Sequence, residues 1–430
     1  MDSNTIAILI LLGVFFGLLI IKVPITFALG LSATVTALYM QIPLMSIVQQ
    51  IAKGISSFSL ITIPFFILAG EIMGQGGIST RLVNFSKVIV GRIRGGLAMV
   101  DVLACLFFGG LSGSSVADTT SIGSIMIPMM EQEGYDKDFA VCVTIASATQ
   151  GVLVPPSHNL ILYSLAAGGV SISSLFLAGI LPGIVLGGSV MLFSYFIAVK
   201  RKYPKSESIP FKQKIHMLKD GILGLFTAVI IMGGIMSGIC TATESAALAT
   251  VYAFIITFFV YKDVPLSRMG DILRKSLKTV AMVMGLIAAS AAFGWMIAMV
   301  QLPALVTSGL ITITDNKIVI FLLINLILLF LGCIMDMAPL ILISTPILLP
   351  VAISFGMDPI QFGIILMLNL GIGLLTPPVG STLFVGCSIG NISIEKVVKA
   401  LVPFYAVMAI VLLLLTFIPA ISLTLPHMFG

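Results

Sequence analysis

Hydroxyl and glycine residues gather at one point of an otherwise apolar chain, in the run GGLSGSSVADTT at residues 109–120. Irregular backbone at membrane depth survives only where it lines a cavity or is buried in protein. Carbonyls freed there, with the hydroxyls of Ser112, Ser114 and Ser115, are the hard oxygen ligands that cations prefer. We therefore expect a cation site at this turn, and the alternative is a tightly packed turn of small residues.

Two further segments, GVLVPPSHN at 151–159 and GIGLLTPPVGSTL at 371–383, each place two prolines inside an apolar stretch. Proline removes a backbone donor and exposes the carbonyls upstream of it. The helix that restarts downstream begins with free N–H groups and a positive dipole end. Such a break can bind a cation at one lip and an anion at the other. The alternative is a purely structural kink.

Asp336, in the run LGCIMDMAPLILISTP at 331–346, is an acid in an apolar stretch. An ionised carboxylate inside a membrane is costly unless it is paired. Because no Lys or Arg lies within a predicted apolar span, a bound cation is its expected partner. Asp118 follows the same argument, or instead caps a helix over 119–130.

Other polar residues carry weaker signals. Glu71 and Glu244 lie near predicted span ends, where they snorkel, cap helices or pair with another subunit, and Asp101 lies near the inner interface. His158 directly follows the first proline pair, where it serves as a proton relay or orients a substrate hydroxyl.

The composition defines the elements that must position these residues. The chain has 430 residues, of which 59% are hydrophobic and 9% charged, against roughly 25% charged residues in soluble domains. Runs such as 6–21 and 402–418 are apolar throughout, which excludes a β-barrel and predicts a polytopic all-α membrane protein. The motifs GxxxxGK[ST], HExxH and GxSxG are absent, so neither nucleotide hydrolysis nor a membrane hydrolase is expected.

The charged residues predict a topology of ten crossings. Two segments, about 97–130 and 318–350, are treated as re-entrant hairpins that enter and leave on one side. With an outside N-terminus, which lacks the basic start of a signal peptide, all but two of the 22 basic residues fall inside. The exceptions are Lys53 and Lys317. The net charge of +5 then describes orientation, and no nucleic-acid partner is expected. The ten spans are 5–21, 24–41, 58–76, 139–166, 176–198, 220–240, 243–261, 280–300, 360–387 and 401–425.

An internal repeat relates the two halves of the chain at an offset of 222 residues. The matched pairs are Pro128 and Pro350, Gly134 and Gly356, Asp136 and Asp358, Gly151 and Gly373, Pro155 and Pro377, Pro156 and Pro378, Gly168 and Gly390, and Ser171 and Ser393. Chance matching of common residues is the alternative. The repeat predicts inverted halves, each with one hairpin and one broken helix (about 139–166 and 360–387), as in secondary transporters. The halves are 1–198 and 220–430, joined by a cytoplasmic linker at 199–219.

Several motifs resemble one family in particular. GGLSGSSVADTTSIGSIMIPMM, CTATESAA and GMDPIQFGIILMLNLGIGLLTPPVGSTLFV are similar to the large permease subunit of tripartite ATP-independent periplasmic (TRAP) transporters. The resemblance covers essentially the whole chain. It implies an elevator-type, Na⁺-driven importer of organic acids in the bacterial inner membrane, and no enzymatic activity. It also implies two partners, a separate small four-helix membrane subunit and a periplasmic substrate-binding protein.

The resemblance also implies ligands at the hairpin tips and broken helices. Those expected for Na⁺ are Ser112, Gly113, Ser114 and Pro155 in the first half, and Gly332, Asp336, Thr376 and Gly380 in the second. Those expected for the substrate are Ser115, Ser157, His158, Asn159 and Ser381. Because no basic side chain is expected in the core, the substrate carboxylate should be held by sodium, hydroxyls and helix N-termini.

The substrate class depends on one departure from the family pattern. Many relatives read PPSIP where this chain has PPSHN at 155–159, and sialic-acid members are similar to the latter form. A polyhydroxylated acid such as sialic acid is therefore favoured over a C4-dicarboxylate. The main alternative function is a stand-alone Na⁺/anion symporter of similar fold, and a membrane-embedded enzyme is the distant one.

Overall fold

The computed structural model describes residues 3–205 and 210–429, and every secondary-structure element within these ranges is a helix. The described residues also contain one isolated antiparallel β-bridge, between Arg94 and Lys205. The all-α prediction is confirmed for this part of the chain.

The first half begins with five helices and continues with a hairpin, a broken helix and one long helix. The helices are α1 (Ser3–Ile20), α2 (Ile25–Tyr39), α3 (Leu44–Gly54), α4 (Thr62–Gln75), α5 (Ile78–Val90), α6 (Gly96–Ser112), α7 (Ser115–Ser121), α8 (Gly123–Gln132), α9 (Lys137–Ala148), α10 (Gln150–Leu153), α11 (His158–Ala166) and α12 (Ile172–Lys200). A 3₁₀ turn, Phe58–Ile61, precedes α4. Helices α6, α7 and α8 form the first predicted hairpin, and α9, α10 and α11 form the first broken helix.

The second half follows a similar order. Its helices are α13 (Phe211–Met236), α14 (Ala242–Ile255), α15 (Met269–Met299), α16 (Leu302–Ile313), α17 (Lys317–Ile334), α18 (Met337–Ser354), α19 (Pro359–Gly373), α20 (Ser381–Gly390), α21 (Ile394–Phe417) and α22 (Pro419–Phe429). A π-helical turn, Ile256–Tyr261, extends α14, and a 3₁₀ turn, Leu266–Arg268, precedes α15. Helices α17 and α18 form the second predicted hairpin, and α19 and α20 the second broken helix.

The lengths and compositions of the helices agree with a multi-pass membrane protein. Among the described residues, seven helices are long and apolar enough to cross a membrane, and α9 to α11 form a pair bent by 49° that passes the same test as one span. Large side chains on their outer surfaces, such as Leu192, Phe196 and Phe330, are exposed, as lipid contact requires. The ten-crossing topology stays a prediction, because α17 and α18 each have 18 residues and could also cross singly.

The repeat-related positions share local backbone geometry. Gly134 and Gly356, which follow the second arms of the two hairpins, have φ angles of 85° and 80°. Only glycine adopts this left-handed conformation at little cost. Asp136 and Asp358 come next and are the N-cap residues of α9 and α19. Both proline pairs contain a cis peptide bond.

Each hairpin meets its broken helix through a pair of glycines. A Cβ on Gly109 of α6 would lie 2.4 Å from the Cα of Gly151, and a Cβ on Gly373 would lie 2.5 Å from the carbonyl carbon of Gly332 in α17. Real Cβ atoms do not come so close to backbone atoms. The two backbones therefore touch directly in both halves, which small residues permit in membrane helices.

The helices divide into two packed groups. Helix α15 packs against α2, α3 and α4, and α4 also packs against α14, which contacts α13. We call this the outer group, α1–α5 with α13–α15. The hairpins, the broken helices and the helices α12, α21 and α22 form the inner group. The groups meet most extensively where α5 contacts α6, and also where α4 contacts α6 and α11 and where α15 contacts α18.

An ionic cluster fixes the end of the first half to the base of its hairpin. Arg201 donates from Nη1 to Asp136 Oδ2 over 2.7 Å, and the Tyr203 hydroxyl donates to the same oxygen over 2.7 Å. These donors, the Tyr203 hydroxyl first, lower the pKa of Asp136, and burial raises the pKa of Tyr203 to about 12. Helix α13 begins at Phe211, so the predicted linker 199–219 includes the first turns of that helix.

The glycine contact can be tested by Gly373→Ala, measured as the melting temperature of the purified protein. The new methyl group would overlap backbone that cannot rotate away, and overpacking of this kind costs about 1–3 kcal/mol. We expect a lower melting temperature. Gly188→Ala in α12 is the matched control, because a Cβ there meets nothing within 4 Å. Equal melting temperatures for the two variants would contradict the close approach.

Candidate functional site

The tip of the first hairpin is a tight turn at Gly113. Helix α6 ends at Ser112, and Gly113 has a φ of 63°, which reverses the chain. Ser114 then caps α7 by accepting a hydrogen bond from the backbone N–H of Ala117 over 3.4 Å. The backbone N–H of Ser114 donates to the hydroxyl of Ser112 over 3.1 Å. Serine hydroxyls and backbone carbonyl groups are thus concentrated at the tip.

Asp118 lies behind this turn and is 0% exposed. The Ser112 hydroxyl donates to its Oδ1 atom, and Oδ2 has no hydrogen-bond partner among the described residues. Oδ2 faces the backbone of Gly109 and Gly151. The alternative role as the cap of a helix over 119–130 is wrong, because the helix begins earlier, at Ser115, and Ser114 caps it.

The first broken helix supplies the other wall of this site. The Asn159 side chain donates from Nδ2 to the Gly113 carbonyl over 3.1 Å, and a Cβ on Gly113 would lie 3.1 Å from Nδ1 of His158. A Cβ on Gly110 would lie 3.1 Å from the Pro155 carbonyl oxygen. Ser157 is buried, and its hydroxyl donates to the Val152 carbonyl. The structure thus brings the tip of the first hairpin together with the residues around the first proline pair.

The second hairpin contacts its own broken helix in a comparable way. The backbone N–H of Val379 donates to the Cys333 carbonyl over 3.1 Å, one residue beyond Gly332. The Thr376 hydroxyl donates to the Ile372 carbonyl, and a Cβ on Gly380 would lie 3.0 Å from the Thr376 carbonyl oxygen. Gly332, Thr376 and Gly380 therefore lie in one region.

Asp336 differs from the rest of this region. It is the N-cap residue of α18, its side chain is exposed, and it makes no side-chain hydrogen bond to the described residues. The structure does not bring its carboxylate into a hydrogen bond with Thr376 or Gly380. An exposed carboxylate at a hairpin tip has its oxygens free for a ligand.

The two halves of the site are linked at Ser115. Its hydroxyl lies 3.1 Å from that of Thr382 in α20, and either group can donate. The neighbouring Ser381 has a buried hydroxyl oxygen with no partner among the described residues. Two residues expected to bind the substrate, Ser115 and Ser381, therefore lie on either side of one cross-repeat contact.

A cavity of about 460 Å³ lies between the tip of the first hairpin and the outer group, and we call it the hairpin-1 cavity. Ser112, Ser114 and His158 line it on one side. Helices α4 and α15 line the other with Glu71, Gln75, Lys275 and Thr279. Its volume is in the range of pockets that hold small organic ligands.

Lys275 is a residue that the sequence analysis missed. Helix α15 begins at Met269 and carries Lys275 onto the wall of this cavity, so a basic side chain lies near His158. That the substrate carboxylate is held without a basic side chain stays a prediction. The predicted spans 243–261 and 280–300 leave 262–279 as a connection between them. One available signal was the repeat, since Lys275 lies 222 residues after Lys53.

The three remaining acids singled out by the sequence, Glu71, Glu244 and Asp101, lie in different environments. Gln75 donates from Nε2 to Oε2 of Glu71 over 3.3 Å, so Glu71 faces the hairpin-1 cavity with a polar neighbour. Glu244 is exposed and accepts from the backbone N–H of Thr241 in a capping box. Asp101 is fully buried in α6, and its oxygens have no hydrogen-bond partner among the described residues.

Comparisons with known proteins agree with this architecture. The profile of the family "Tripartite ATP-independent periplasmic transporter, DctM component" matches residues 12–421. The chain is 44% identical to the uncharacterized protein YgiK of Salmonella typhimurium, covering 98% of both chains. It is 40% identical to the sialic acid TRAP transporter large permease protein SiaM of Vibrio cholerae, covering 89% of both. It is 34% identical to the C4-dicarboxylate TRAP transporter large permease protein DctM of Rhodobacter capsulatus, covering 98% of this chain and 99% of that one.

The fold is also similar to that of a solved transporter. The crystal structure of the Alcanivorax borkumensis YdaH transporter superimposes with a TM-score of 0.64 over 87% of this chain and 88% of that one. The two sequences are 14% identical, so this likeness concerns the fold alone.

The link between Ser112 and Asp118 can be tested by Ser112→Ala in a sodium-free buffer. The change removes the hydroxyl that donates to a buried carboxyl group, and an unsatisfied buried polar group costs about 1–3 kcal/mol. We expect a lower melting temperature than for the wild type. Ser124→Ala is the control, since the Ser124 side chain is exposed and donates only to the Ser121 carbonyl nearby. A Ser112→Ala protein as stable as this control would show that the hydrogen bond contributes nothing.

Proposed function

Because the chain belongs to the DctM family of TRAP transporter permeases, we propose that it imports an organic acid across the bacterial inner membrane in symport with Na⁺. The family is one of transporter permeases and not of enzymes. The observation that carries the proposal is the hairpin-1 cavity, where a turn rich in oxygen ligands and the start of a broken helix face the same space.

The residues at the first tip fit a monovalent hard cation. The hydroxyls of Ser112 and Ser114 and the carbonyls of Gly113 and Pro155 are neutral oxygen ligands, which suit Na⁺ better than a transition metal. The described residues contain no group of three His, Cys, Asp or Glu residues that could hold a metal ion. Na⁺ is here a transported substrate, and its binding would offset the negative charge of Asp118 behind the turn.

A second cation would bind between the second hairpin and its broken helix. Gly332, Thr376 and Gly380 offer backbone and hydroxyl oxygens, and the exposed carboxylate of Asp336 lies at the same tip. In our proposal, Na⁺ draws this carboxylate toward the broken helix. The two cations together would leave a positive field for the anionic substrate.

The substrate carboxylate would bind at the N-terminus of α11. The first N–H groups of a helix have no partner within it, and they favour an anion. Of the residues expected to bind the substrate, His158 lines the hairpin-1 cavity, and Ser157 and Asn159 are its neighbours in the chain. Ser115 and Ser381 lie at the contact of α7 with α20. Together they offer hydroxyl, imidazole and amide groups. A substrate with many hydroxyls can pair with such groups, so we favour a sugar acid such as sialic acid, with a C4-dicarboxylate next.

Transport would follow an elevator mechanism with two partner proteins. The inner group carries both tips and would move against the outer group, which a small four-helix membrane subunit would extend. A periplasmic binding protein would deliver the acid. Each net positive charge carried inward gains about 2.3 kcal/mol per 100 mV of membrane potential.

Uptake by the protein reconstituted with its small subunit in liposomes, with loaded binding protein outside, tests sodium coupling. We expect accumulation only when Na⁺ is higher outside, and a lower apparent Na⁺ affinity in Asp336→Asn, because that variant loses a charged cation ligand. Asp315→Asn, a change of the same kind at an exposed residue, should leave the affinity unchanged. Accumulation without a sodium gradient, or unaltered Na⁺ affinity in Asp336→Asn, would refute the proposal.

The same assay separates the TRAP function from the stand-alone symporter. For a TRAP permease, omission of the binding protein should abolish uptake at micromolar substrate. Uptake that continues at the same rate without it would favour the symporter.

The substrate class can be tested by His158→Ala with binding proteins loaded with different acids. Loss of an imidazole that orients a hydroxyl should reduce uptake of a sugar acid by roughly tenfold, as for the loss of one hydrogen bond to a buried partner. Uptake of a dicarboxylate, if any, should change less. An equal reduction for both acids would argue against a role in hydroxyl recognition.

A further inference from the structure

A second cavity also lies between the outer group and the inner group. It has a volume of about 420 Å³ and lies between α3, α15, the end of α11 and the second arm of the second hairpin, α18. We call it the hairpin-2 cavity. Its polar lining comes from Gln50, Lys53, Ser57 and Ser290. Neither sodium binding nor the proposed substrate site uses these residues.

The two cavities are built from corresponding positions of the repeat. Lys53 and Ser57 of the hairpin-2 cavity lie 222 residues before Lys275 and Thr279 of the hairpin-1 cavity. Gly70 lines the hairpin-1 cavity, and Gly294, which follows it at an offset of 224, lines the hairpin-2 cavity. The repeat therefore places an ammonium group and a hydroxyl group on the outer-group wall of both cavities.

Both lysines are available to a ligand. Lys53 and Lys275 are exposed, and the ammonium group of neither forms a hydrogen bond or an ion pair with the described residues. The helices that carry them, α3 and α15, pack against each other. The two ammonium groups therefore belong to one packed group of helices, while the hairpins lie in the other.

We propose that Lys53 and Lys275 are a repeat-related pair of anion-attracting residues, one at each end of the path of the substrate carboxylate. The proposal rests on the transport function proposed above. The predicted topology puts Lys53 outside and Lys275 inside. Lys53 attracts the acid as the binding protein releases it, and Lys275 contacts the acid before it leaves to the cytoplasm.

The linings of the two cavities differ, so Lys53 and Lys275 should attract the substrate anion with unequal strength. Glu71 shares the hairpin-1 cavity with Lys275, whereas its partner at an offset of 224 in the hairpin-2 cavity is Trp295. A carboxylate beside an ammonium group weakens the attraction of that group for a second anion. The substrate is therefore held more firmly at Lys53 than at Lys275, which favours release on the inner side.

The two lysines can be tested by transport assays in liposomes that probe the outer and the inner side of the protein separately. The variants are Lys53→Gln and Lys275→Gln, with Lys317→Gln as the outside control and Lys278→Gln, on the same helix as Lys275, as the inside control. The first measurement is the KM for uptake with loaded binding protein. The second is the concentration of substrate inside the liposomes that half-inhibits this uptake.

We expect Lys53→Gln to raise the KM roughly tenfold, as for the loss of one hydrogen bond to a charged group, and to leave inhibition from inside unchanged. Lys275→Gln should raise the inhibiting concentration inside by a similar factor and leave the KM unchanged. Lys53→Arg and Lys275→Arg keep the charge and should resemble the wild type. The effects should shrink when choline chloride is raised to 0.5 M, because salt screens exposed charges.

Four outcomes would overturn the proposal. The first is that the Gln variants have the same KM and the same inhibiting concentration as their controls, and the second is that each Gln variant changes both quantities equally. The third is that the Arg variants are as impaired as the Gln variants. The fourth is that Lys53→Gln raises, by the same factor as the KM, the concentration of unloaded binding protein that half-inhibits uptake. The last would place Lys53 in the docking surface for the binding protein. Failure of the wild type to accumulate substrate on a sodium gradient would overturn the proposed function, and this inference with it.

Discussion

The direct contact of backbones between each hairpin and its broken helix is the constraint on which the rest of the site depends. Backbone groups freed by prolines or by a turn cannot be left facing lipid, because each would go without a hydrogen bond. Packing Gly109 on Gly151, and Gly332 on Gly373, closes these irregular segments against each other. The same closeness brings hydroxyls and carbonyls from two elements within reach of one ion. Without side chains at the contact, the oxygens of both elements can converge.

The parts of this arrangement that follow from local chemistry could be predicted from the sequence. The proline pairs mark the broken helices, because proline removes a backbone donor, and the run of glycines and serines marks the first tip, because these residues favour turns and caps over helix interiors. The equivalence of the halves followed from matched prolines and glycines, and their backbone geometry agrees with it at Gly134 and Gly356. What matters at such positions is the conformation of the backbone, which the residue type largely decides.

The parts that depend on tertiary packing could not be predicted. Helix α15 begins at Met269 within a charged segment, and this places Lys275 on a cavity wall instead of in a connection between spans. A capping role for Asp118 is the alternative that the sequence leaves open, and Ser114 takes that role instead. Both residues can cap a helix, and only the position of the turn decides between them. The exposure of Asp336 likewise depends on how the tip of the second hairpin packs against other helices, which the local sequence does not determine.

The two tips also treat their carboxylates in opposite ways, and this bears on how ion binding could be coupled to movement. Asp118 is buried, and a hydroxyl of its own hairpin donates to Oδ1, so one of its two oxygens has a protein partner without an ion. Asp336 is exposed and has no protein partner among the described residues, so an ion that bound there would change its surroundings most. A binding event shifts a conformational equilibrium only by its difference in affinity between the two states. A free carboxylate that must find a partner before it enters an apolar contact supplies such a difference, whereas one that is already buried and partly hydrogen-bonded supplies less. On this argument the second tip, and not the first, is where occupancy by Na⁺ would decide whether the inner group can move.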